Sequence, residues 1–414
     1  MRRSFVLFLA ATAALAWACS DEDTAGVDET PVPDAGADAP VTTPDGGDTV
    51  APTYVLLADG FGASEMVAVN LEDGGVGGRV KFDGSYANVT VDGTEPWLVD
   101  QDRDDVYKLD PVEPWKVVGK WNVLGDDKPA GADANANASG VVTPAPNKAY
   151  VVRYNRNRIA VLDPTDTSSP APKKYIDLSS LKQAGDDAKM DVSAATYVAS
   201  KNRVYVVLGN ADFTGASGAG VPCPTAALKS SVIAIDPTTD EVVSLGGTAP
   251  GGGIALQGYI PITPSPLVYD AAGDRLVIAT SGCATTGSIQ GRGIEAVSLA
   301  TGTSTTLLDL NGPDFPSSFA VLDGNSAAVA FFAKGRLWNP SDRAIAIEIA
   351  GGVDSIAVDG RGAYVGTRKG KLDDGGAGLE VVSVQRDGGA SVVARNPFTV
   401  PGGYISGIAA WSKR

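Results

Sequence analysis

The sequence predicts an all-β fold, a seven-bladed β-propeller preceded by a signal peptide and a disordered acidic linker. Three observations support this prediction: short β-branched runs separated by Gly, Asp, Asn and Pro, a repeat of those runs along residues 53–414, and a different composition in the first 52 residues. Of 414 residues, 43% are hydrophobic and 20% are charged, which is enough apolar material for a sizeable core. A propeller can use this whole length as one domain.

Residues 1–18 have the pattern of an export signal. Arg2 and Arg3 precede an uncharged apolar run that ends at Ala18 and is too short to span a membrane. The stretch Ala16-Trp17-Ala18-Cys19 resembles the lipobox of bacterial lipoproteins. That resemblance implies lipidation at Cys19, which would become the first mature residue and anchor the chain in a membrane. Cleavage after Ala18 without a lipid is the alternative.

The residue after the modified cysteine bears on location. In lipoproteins an Asp at that position favours retention in the inner membrane, and this chain has Ser20 there. The resemblance therefore implies an exported outer-membrane lipoprotein, on either the periplasmic side or the cell-surface side.

Residues 19–52 are predicted to be a disordered acidic tether. Between residues 20 and 52 there are nine acidic side chains and no basic or aromatic one. Such a segment cannot bury enough apolar surface to offset its chain entropy. Proline and self-repelling charge keep it extended, so its reach is on the order of 100 Å at roughly 3 Å per residue.

Composition excludes several classes of function. The net charge is −16, with 33 basic and 49 acidic residues, so the surface repels nucleic acid and we expect no nucleic-acid partner. The chain has no histidine, which removes the Ser-His-Asp triad and histidine-based proton transfer. Three cysteines without histidine cannot form a Cys/His zinc cluster. We expect a monomer without a resident cofactor.

Seven repeat units run along residues 53–414, the predicted propeller domain. Each unit opens with a small polar residue and a short apolar run, and the intervals between openings vary from 37 residues (318 to 355) to 72 residues (193 to 265). The openings are at Asn88, Ser139, Ser193, Ser265, Ser318, Ser355 and Ser406. Four short strands in each unit at this spacing indicate propeller blades.

The final blade is predicted to be shared between the two ends of the propeller domain. Only one strand fits after Ser406, and the segment from Tyr54 to Phe82 has strands without a matching opening. Pairing the two pieces closes the ring and leaves no exposed sheet end.

Two segments resemble the YVTN/YncE-like repeats of secreted propellers. They are the run from Tyr150 to Pro164, which reads Tyr-Val-Val-Arg-Tyr and ends in Val-Leu-Asp-Pro, and the run Tyr205-Val-Val-Leu-Gly-Asn. The resemblance implies the fold over residues 53–414. It leaves function open, because that group includes binding proteins, surface proteins and lactonases.

The long connections are predicted to lie on one face. In a propeller, the connections from second to third strand and from one blade to the next share a face, and functional loops usually lie on such an edge. Neutral drift in unconstrained loops is the alternative. The long connections here are 124–138, 179–192, 209–231, 246–264 and 281–291.

Six serines at the strand openings are predicted to ring the mouth of the central channel. Their hydroxyls are candidates for binding a polar ligand. The alternative is structural, since small residues fit where strands crowd the axis and a hydroxyl can satisfy a backbone group. The six are Ser139, Ser193, Ser265, Ser318, Ser355 and Ser406.

Cys223 and Cys283 lie in long connections of neighbouring repeats, on the same predicted face. In an oxidising compartment we expect a disulfide between them.

Asp100, Asp102 and Asp104 stand at alternate positions and resemble the start of a calcium loop, which makes calcium a candidate ligand. The matching turn of the next repeat carries Asn155-Arg156-Asn157 instead, which favours ordinary hairpin chemistry.

Two functions follow from these observations. The first is a non-catalytic binding module, lipid-anchored and exposed to the periplasm or the outside, with a protein or glycan partner. The second is a lactonase-like hydrolase that uses carboxylates or a metal at the channel mouth. The sequence has no GxSxG motif. A pocket with clustered carboxylates of shifted pKa would favour the hydrolase.

Overall fold

Seven β-sheets make up the part of the chain that the computed structural model describes. The signal peptide, Cys19, the tether and Ser265 lie outside that part. The described residues are 53–59, 64–93, 95–110, 115–129, 131–187, 189–214, 216, 221–224, 228–263, 266–285, 288–310, 316–323, 326–331, 334–340, 345–359, 363–371, 377–399 and 405–412.

The first half of the propeller contains two complete sheets, blades 1 and 2. Three strands come before them: β1 (Thr53–Asp59), β2 (Glu65–Asn70) and β3 (Val76–Lys81). Blade 1 consists of β4 (Ala87–Asp92), β5 (Glu95–Asp100), β6 (Asp105–Leu109) and β7 (Val117–Asn122). Blade 2 consists of β8 (Ala138–Ala145), β9 (Lys148–Arg153), β10 (Arg158–Leu162) and β11 (Lys174–Asp177).

Blades 3 and 4 carry the longest connections. Blade 3 consists of β12 (Val192–Val198), β13 (Arg203–Leu208), β14 (Ser231–Asp236) and β15 (Glu241–Val243), with the short β16 (Ile254–Ala255) also paired to β14. Blade 4 consists of β17 (Val268–Asp270), β18 (Arg275–Thr285), β19 (Ser288–Ser298) and β20 (Thr303–Asp309). Short 3-10 turns cover Ser179–Leu181, Ala199–Lys201 and Pro250–Gly252.

Blades 5 and 6 are plain four-stranded meanders. Blade 5 consists of β21 (Pro316–Asp323), β22 (Ser326–Phe331), β23 (Lys334–Trp338) and β24 (Ile345–Glu348). Blade 6 consists of β25 (Ser355–Val358), β26 (Tyr364–Lys371), β27 (Ala377–Val384) and β28 (Ala390–Arg395). The last strand is β29 (Ile405–Ser412).

Blade 7 closes the ring as predicted. Its strand order is β29-β1-β2-β3, so one C-terminal strand completes a sheet begun by three N-terminal strands. The antiparallel register places Val55 opposite Ala410 and Leu57 opposite Ile408. The prediction of a seven-bladed, all-β propeller is therefore confirmed.

Packing between blades explains why the inner strands are apolar without alternation. Every residue of β1 is buried, because each blade is covered on both faces by its neighbours. Val55 and Leu57 pack with residues of blade 6, whereas Leu56 packs with residues of blade 1. The outermost strand β7 borders solvent. From the exposed Val118 onward, exposed residues alternate with buried ones such as Trp121.

One predicted connection is instead a pair of long strands. Residues 281–291 were expected to be a loop, but β18 and β19 continue through them and pair as far as Thr285 and Ser288. Gly282 and Gly291 both adopt positive φ, at 76° and 65°, so the glycines bend the hairpin rather than end it. The described residues contain no helix long and apolar enough to cross a membrane.

Candidate functional site

Hydrogen bonds show which connections share a face. The second-to-third-strand turn of blade 2 meets the connection that enters blade 2, with Tyr154 N donating to Asn137 O at 3.1 Å. The equivalent pair in blade 3 is Gly209 N donating to Asp191 O at 2.9 Å. We call this side, which carries the connections around residues 124–137, 178–191, 209–230 and 256–263, the upper face.

The expected disulfide is present on the upper face. Cys223 and Cys283 are bonded, and they join the long connection of blade 3 to the β18–β19 hairpin of blade 4. Backbone bonds reinforce the join, since Cys223 N donates to Ala284 O and Ala284 N donates to Val221 O, at 3.1 and 2.7 Å. The connection of one blade is thereby fixed to the next.

Three of the opening serines donate hydrogen bonds to the backbone of a neighbouring blade. Ser139 Oγ donates to Ser193 O, from blade 2 to blade 3, at 3.3 Å. Ser318 Oγ donates to Ile356 O, from blade 5 to blade 6, at 3.0 Å. Ser406 Oγ donates to Ala87 O, from blade 7 to blade 1. These contacts support the structural alternative for the serines, and ligand binding by them stays a prediction.

Two further serines bond within their own blades. Ser193 Oγ donates to Asp191 O at 2.7 Å, and Ser355 Oγ pairs with Thr367 Oγ1 at 2.6 Å.

The calcium candidates use their oxygens in local hydrogen bonds. Asp100 accepts from Gly84 N at 2.8 Å, Asp102 accepts from Ser85 N and Ser85 Oγ, and Asp104 accepts from Ala136 N at 2.8 Å. Burial raises the pKa of Asp100 to about 6 and also raises that of Asp104. Within the described part of the chain, no three His, Cys, Asp or Glu side chains are grouped to hold a metal.

A group of charged and aromatic side chains converges where the chain enters blade 3. We call it the mouth cluster. It draws on the second-to-third-strand turn of blade 2, the blade 2–3 connection, the long connection of blade 3 and the blade 3–4 connection. Its members are Tyr154, Asp186, Asp187, Lys189, Asp191, Phe213 and Tyr259.

Asp191 is the fully buried carboxyl of the cluster. Its Oδ2 accepts a hydrogen bond from Ala211 N at 2.9 Å. Its Oδ1 has no hydrogen bond of normal geometry and faces Lys189 Nζ at 3.4 Å. Burial raises the pKa of this carboxyl to about 7, an effect that Lys189 reduces.

Asp186 lies on the same connection and is less well partnered. Both of its carboxyl oxygens are buried, and neither has a hydrogen bond of normal geometry to a described residue. Burial, together with the charges of Asp191 and Asp187, raises the pKa of Asp186 to about 8. This carboxyl is therefore mostly protonated at neutral pH.

Lys189 supplies the positive charge of the cluster. Its Nζ lies 4.8 Å from the ring centre of Tyr154 and 4.8 Å from that of Phe213, within the range of cation–π attraction. It also donates to Asn155 Oδ1 at 3.3 Å. Tyr259 completes the cluster, and its hydroxyl accepts from Asp212 N at 3.2 Å.

This arrangement can bind a cation or donate a proton. Carboxylates and aromatic faces attract ammonium groups, and a carboxyl with a pKa near 8 can act as an acid. The connections 179–192 and 209–231 were predicted from the sequence to be candidate functional loops, but none of these residues was predicted individually. The available signal was Asp186-Asp187-Ala188-Lys189-Met190-Asp191, a charged run inside a predicted upper-face connection.

Solved structures share the fold at low sequence identity. A functionally unknown protein from Desulfotomaculum acetoxidans aligns with a TM-score of 0.54 and 10% identity over 87% of this chain and 99% of that chain. The β-propeller domain of Cps50 (Swd1) from Myceliophteria thermophila aligns with a TM-score of 0.51 and 13% identity, over 80% and 96% of the two chains. Apo AztD from Citrobacter koseri aligns at 0.48 and 11%, over 88% and 100%.

No protein-family model matches the chain, and no curated protein sequence matches it. The structural similarities therefore show the β-propeller fold alone.

Proposed function

We propose that this chain is an exported, lipid-anchored binding module, without catalytic activity, whose upper face binds a protein or glycan partner. The observation that carries the proposal is that the upper-face connections differ from blade to blade in length and in how they are joined. Those of blades 3 and 4 are long, joined by Cys223–Cys283, and lie beside a cluster of incompletely partnered charges. Connections that are tied to each other and that carry polar groups with capacity for further bonds suit a recognition surface.

The proposed anchor and tether would place the upper face near a membrane. A lipid on Cys19 would hold the chain at a membrane, and residues 19–52 would let the propeller reach a partner on the order of 100 Å away at roughly 3 Å per residue. Such a tether also raises the effective concentration of the module near the membrane.

Site-specific photocrosslinking tests the proposal. A photoreactive residue replaces Thr214 or Lys182, which are exposed on the upper face, and in a matched control it replaces Lys201, which is exposed in the first-to-second-strand turn of blade 3. In cells that produce the chain, one partner identified by mass spectrometry should link to both upper positions and not to Lys201. Equal linking from all three positions, or no partner at either upper position, would contradict the proposal.

The mouth cluster also supports a second candidate, a hydrolase. The supporting observation is Asp186, a carboxyl with a pKa of about 8 beside a second carboxyl, Asp191. General acid–base catalysis requires such a pair, with one member protonated at working pH. Purified protein would be assayed against a panel of lactones and aryl esters, with D186N beside it. Turnover that D186N abolishes would establish the hydrolase and overturn the non-catalytic proposal.

A further inference from the structure

Lys189 sits in surroundings that resemble a binding site for an ammonium ion. Tyr154 and Phe213 each present a ring at 4.8 Å from its Nζ, and the buried carboxylate of Asp191 lies at 3.4 Å. We call these three side chains the ammonium cage. Two aromatic faces and a carboxylate are the groups that recognise alkylammonium ligands in proteins.

Lys189 occupies the cage loosely. Charge-assisted hydrogen bonds to an ammonium are normally about 2.7–2.9 Å long, whereas its distances to Asp191 Oδ1 and Asn155 Oδ1 are 3.4 and 3.3 Å. Asp191 Oδ1 is consequently paired with Lys189 without a hydrogen bond of normal geometry, although its residue is fully buried. The cage therefore retains capacity for an ammonium that approaches with better geometry.

The surrounding charge favours a cation over an anion. The negative charges of Asp191 and Asp187 both act on Asp186. Asp186 itself is mostly protonated at neutral pH, so it adds two buried oxygens without hydrogen bonds of normal geometry but little charge. The positive charge that lies among these carboxyl groups is the ammonium of Lys189. Lys182 also lowers the pKa of Asp186, but it is exposed at the start of the connection.

We propose that the ammonium cage binds a lysine side chain of a protein partner, and that Lys189 fills the cage until that side chain displaces it. The inference rests on the proposed binding function and names the partner chemistry. A lysine is favoured over an amino sugar because the present occupant is itself a straight-chain primary ammonium, so the space between the rings already accommodates that shape.

The test compares two replacements of Lys189 in the full-length protein. K189A empties the cage, whereas K189M leaves an uncharged chain of similar length inside it. n-Butylammonium chloride, which reproduces the end of a lysine, is titrated into each protein and followed by calorimetry. K189A should bind it about tenfold more tightly than the wild type, because the internal competitor is gone. K189M should bind no more tightly than the wild type.

Two additions make the result specific. F213L in the K189A background should weaken n-butylammonium binding about fivefold, the value of one lost cation–π contact. n-Butanol and glucosamine should bind K189A more weakly than n-butylammonium. Equal binding of butanol would reveal only an apolar cavity, and tighter binding of glucosamine would replace lysine by an amino sugar, so either result overturns the proposal.

Failure of this inference is separable from failure of the proposed function. If K189A and K189M bind n-butylammonium equally, the cage is not a ligand site. Upper-face photocrosslinks from Thr214 would still stand in that case. A fall in melting temperature that is equal for K189A and K189M would reflect lost packing, and the comparison between the two variants would remain valid.

Discussion

Cys223 and Cys283 form a disulfide between two blades, which links the long connection of blade 3 to the β-hairpin of blade 4 across 60 residues of chain. The strands on either side of this bond belong to separate sheets, so the bond adds a covalent tie between blades. It also holds the upper-face connection next to the blade 3–4 connection, where Gly282 N donates to Tyr259 O at 2.8 Å. The disulfide thus supports one wall of the mouth cluster.

Removing this disulfide should loosen the upper face. We expect the double substitution C223S/C283S to lower stability by about 2–4 kcal/mol, because a closed loop of this length restricts the unfolded chain. Differential scanning calorimetry would show a melting temperature several degrees below that of the wild type. Adding reductant to the wild type should reproduce the shift and leave the double variant unchanged. A double variant with the same melting temperature as the oxidised wild type would contradict this prediction.

Glu65 is a second tie, in the blade that closes the ring. Its carboxylate is fully buried, pairs with Arg79 and Lys81 at 3.0 Å, and accepts from Thr399 Oγ1 at 2.8 Å. Burial opposes the charge, but the hydrogen bonds from Thr399 and the charge of Lys81 outweigh it and lower the pKa of Glu65. The residue therefore connects β2 to the segment that leads into the final strand.

We expect E65Q to destabilise the propeller by about 1–3 kcal/mol at pH 7, the loss of hydrogen bonds to a charged group. The lowered pKa means that this stabilisation is present above the unfolded value of about 4.5 and disappears as the pH falls through the folded value. Melting curves from pH 3 to 8 should therefore converge for E65Q and the wild type in acid. E72Q, at an exposed glutamate after the same strand, should match the wild type throughout.

The fold was predictable because its signals are local. Each blade opens with a polar residue followed by an apolar run, and Asn88, Ser139, Ser193, Ser318, Ser355 and Ser406 all lie in the innermost strands of their sheets. The closing strand was also predictable, because a single final strand and an incomplete first sheet each leave unpaired backbone groups at an edge, and pairing them removes both edges.

The mouth cluster was not predictable in the same way. Tyr154 and Phe213 lie 59 residues apart in the chain and on different blades, and only the ring geometry brings both to Lys189. The hairpin of blade 4 was missed for a different reason. Gly282 and Gly291 favour a turn by propensity. In the structure, both adopt positive φ within paired strands, where they allow the strands to bend.

Asp186 makes stability depend on pH in the opposite direction from Glu65. Its folded pKa, about 8, lies above the unfolded value of 3.8. The stabilisation from the protonated carboxyl is therefore fully present below pH 3.8 and is lost as the pH rises through 8. D186N removes the titrating group.

We expect the melting temperature of the wild type to fall more steeply than that of D186N between pH 5 and pH 9. D126N, at an exposed carboxylate on the upper face, should follow the wild type. Parallel curves for D186N and the wild type would show that the Asp186 carboxyl ionises at ordinary pH. The same experiment bears on the second candidate function, because an acid catalyst at this position requires the raised pKa.

Lipidation at Cys19 predicts a specific mass. Protein extracted from membranes with detergent should have the mass of a triacylated chain that begins at Cys19, and it should be two hydrogens lighter before reduction because of the Cys223–Cys283 bond. The substitution C19S should abolish the lipid mass and release the protein from the membrane fraction, since the acyl chains supply the membrane affinity. An unlipidated chain that begins at Cys19 in the wild type would describe a freely secreted propeller. The tether would then not attach the propeller to a membrane, and the proposed surface-anchored binding module would be contradicted.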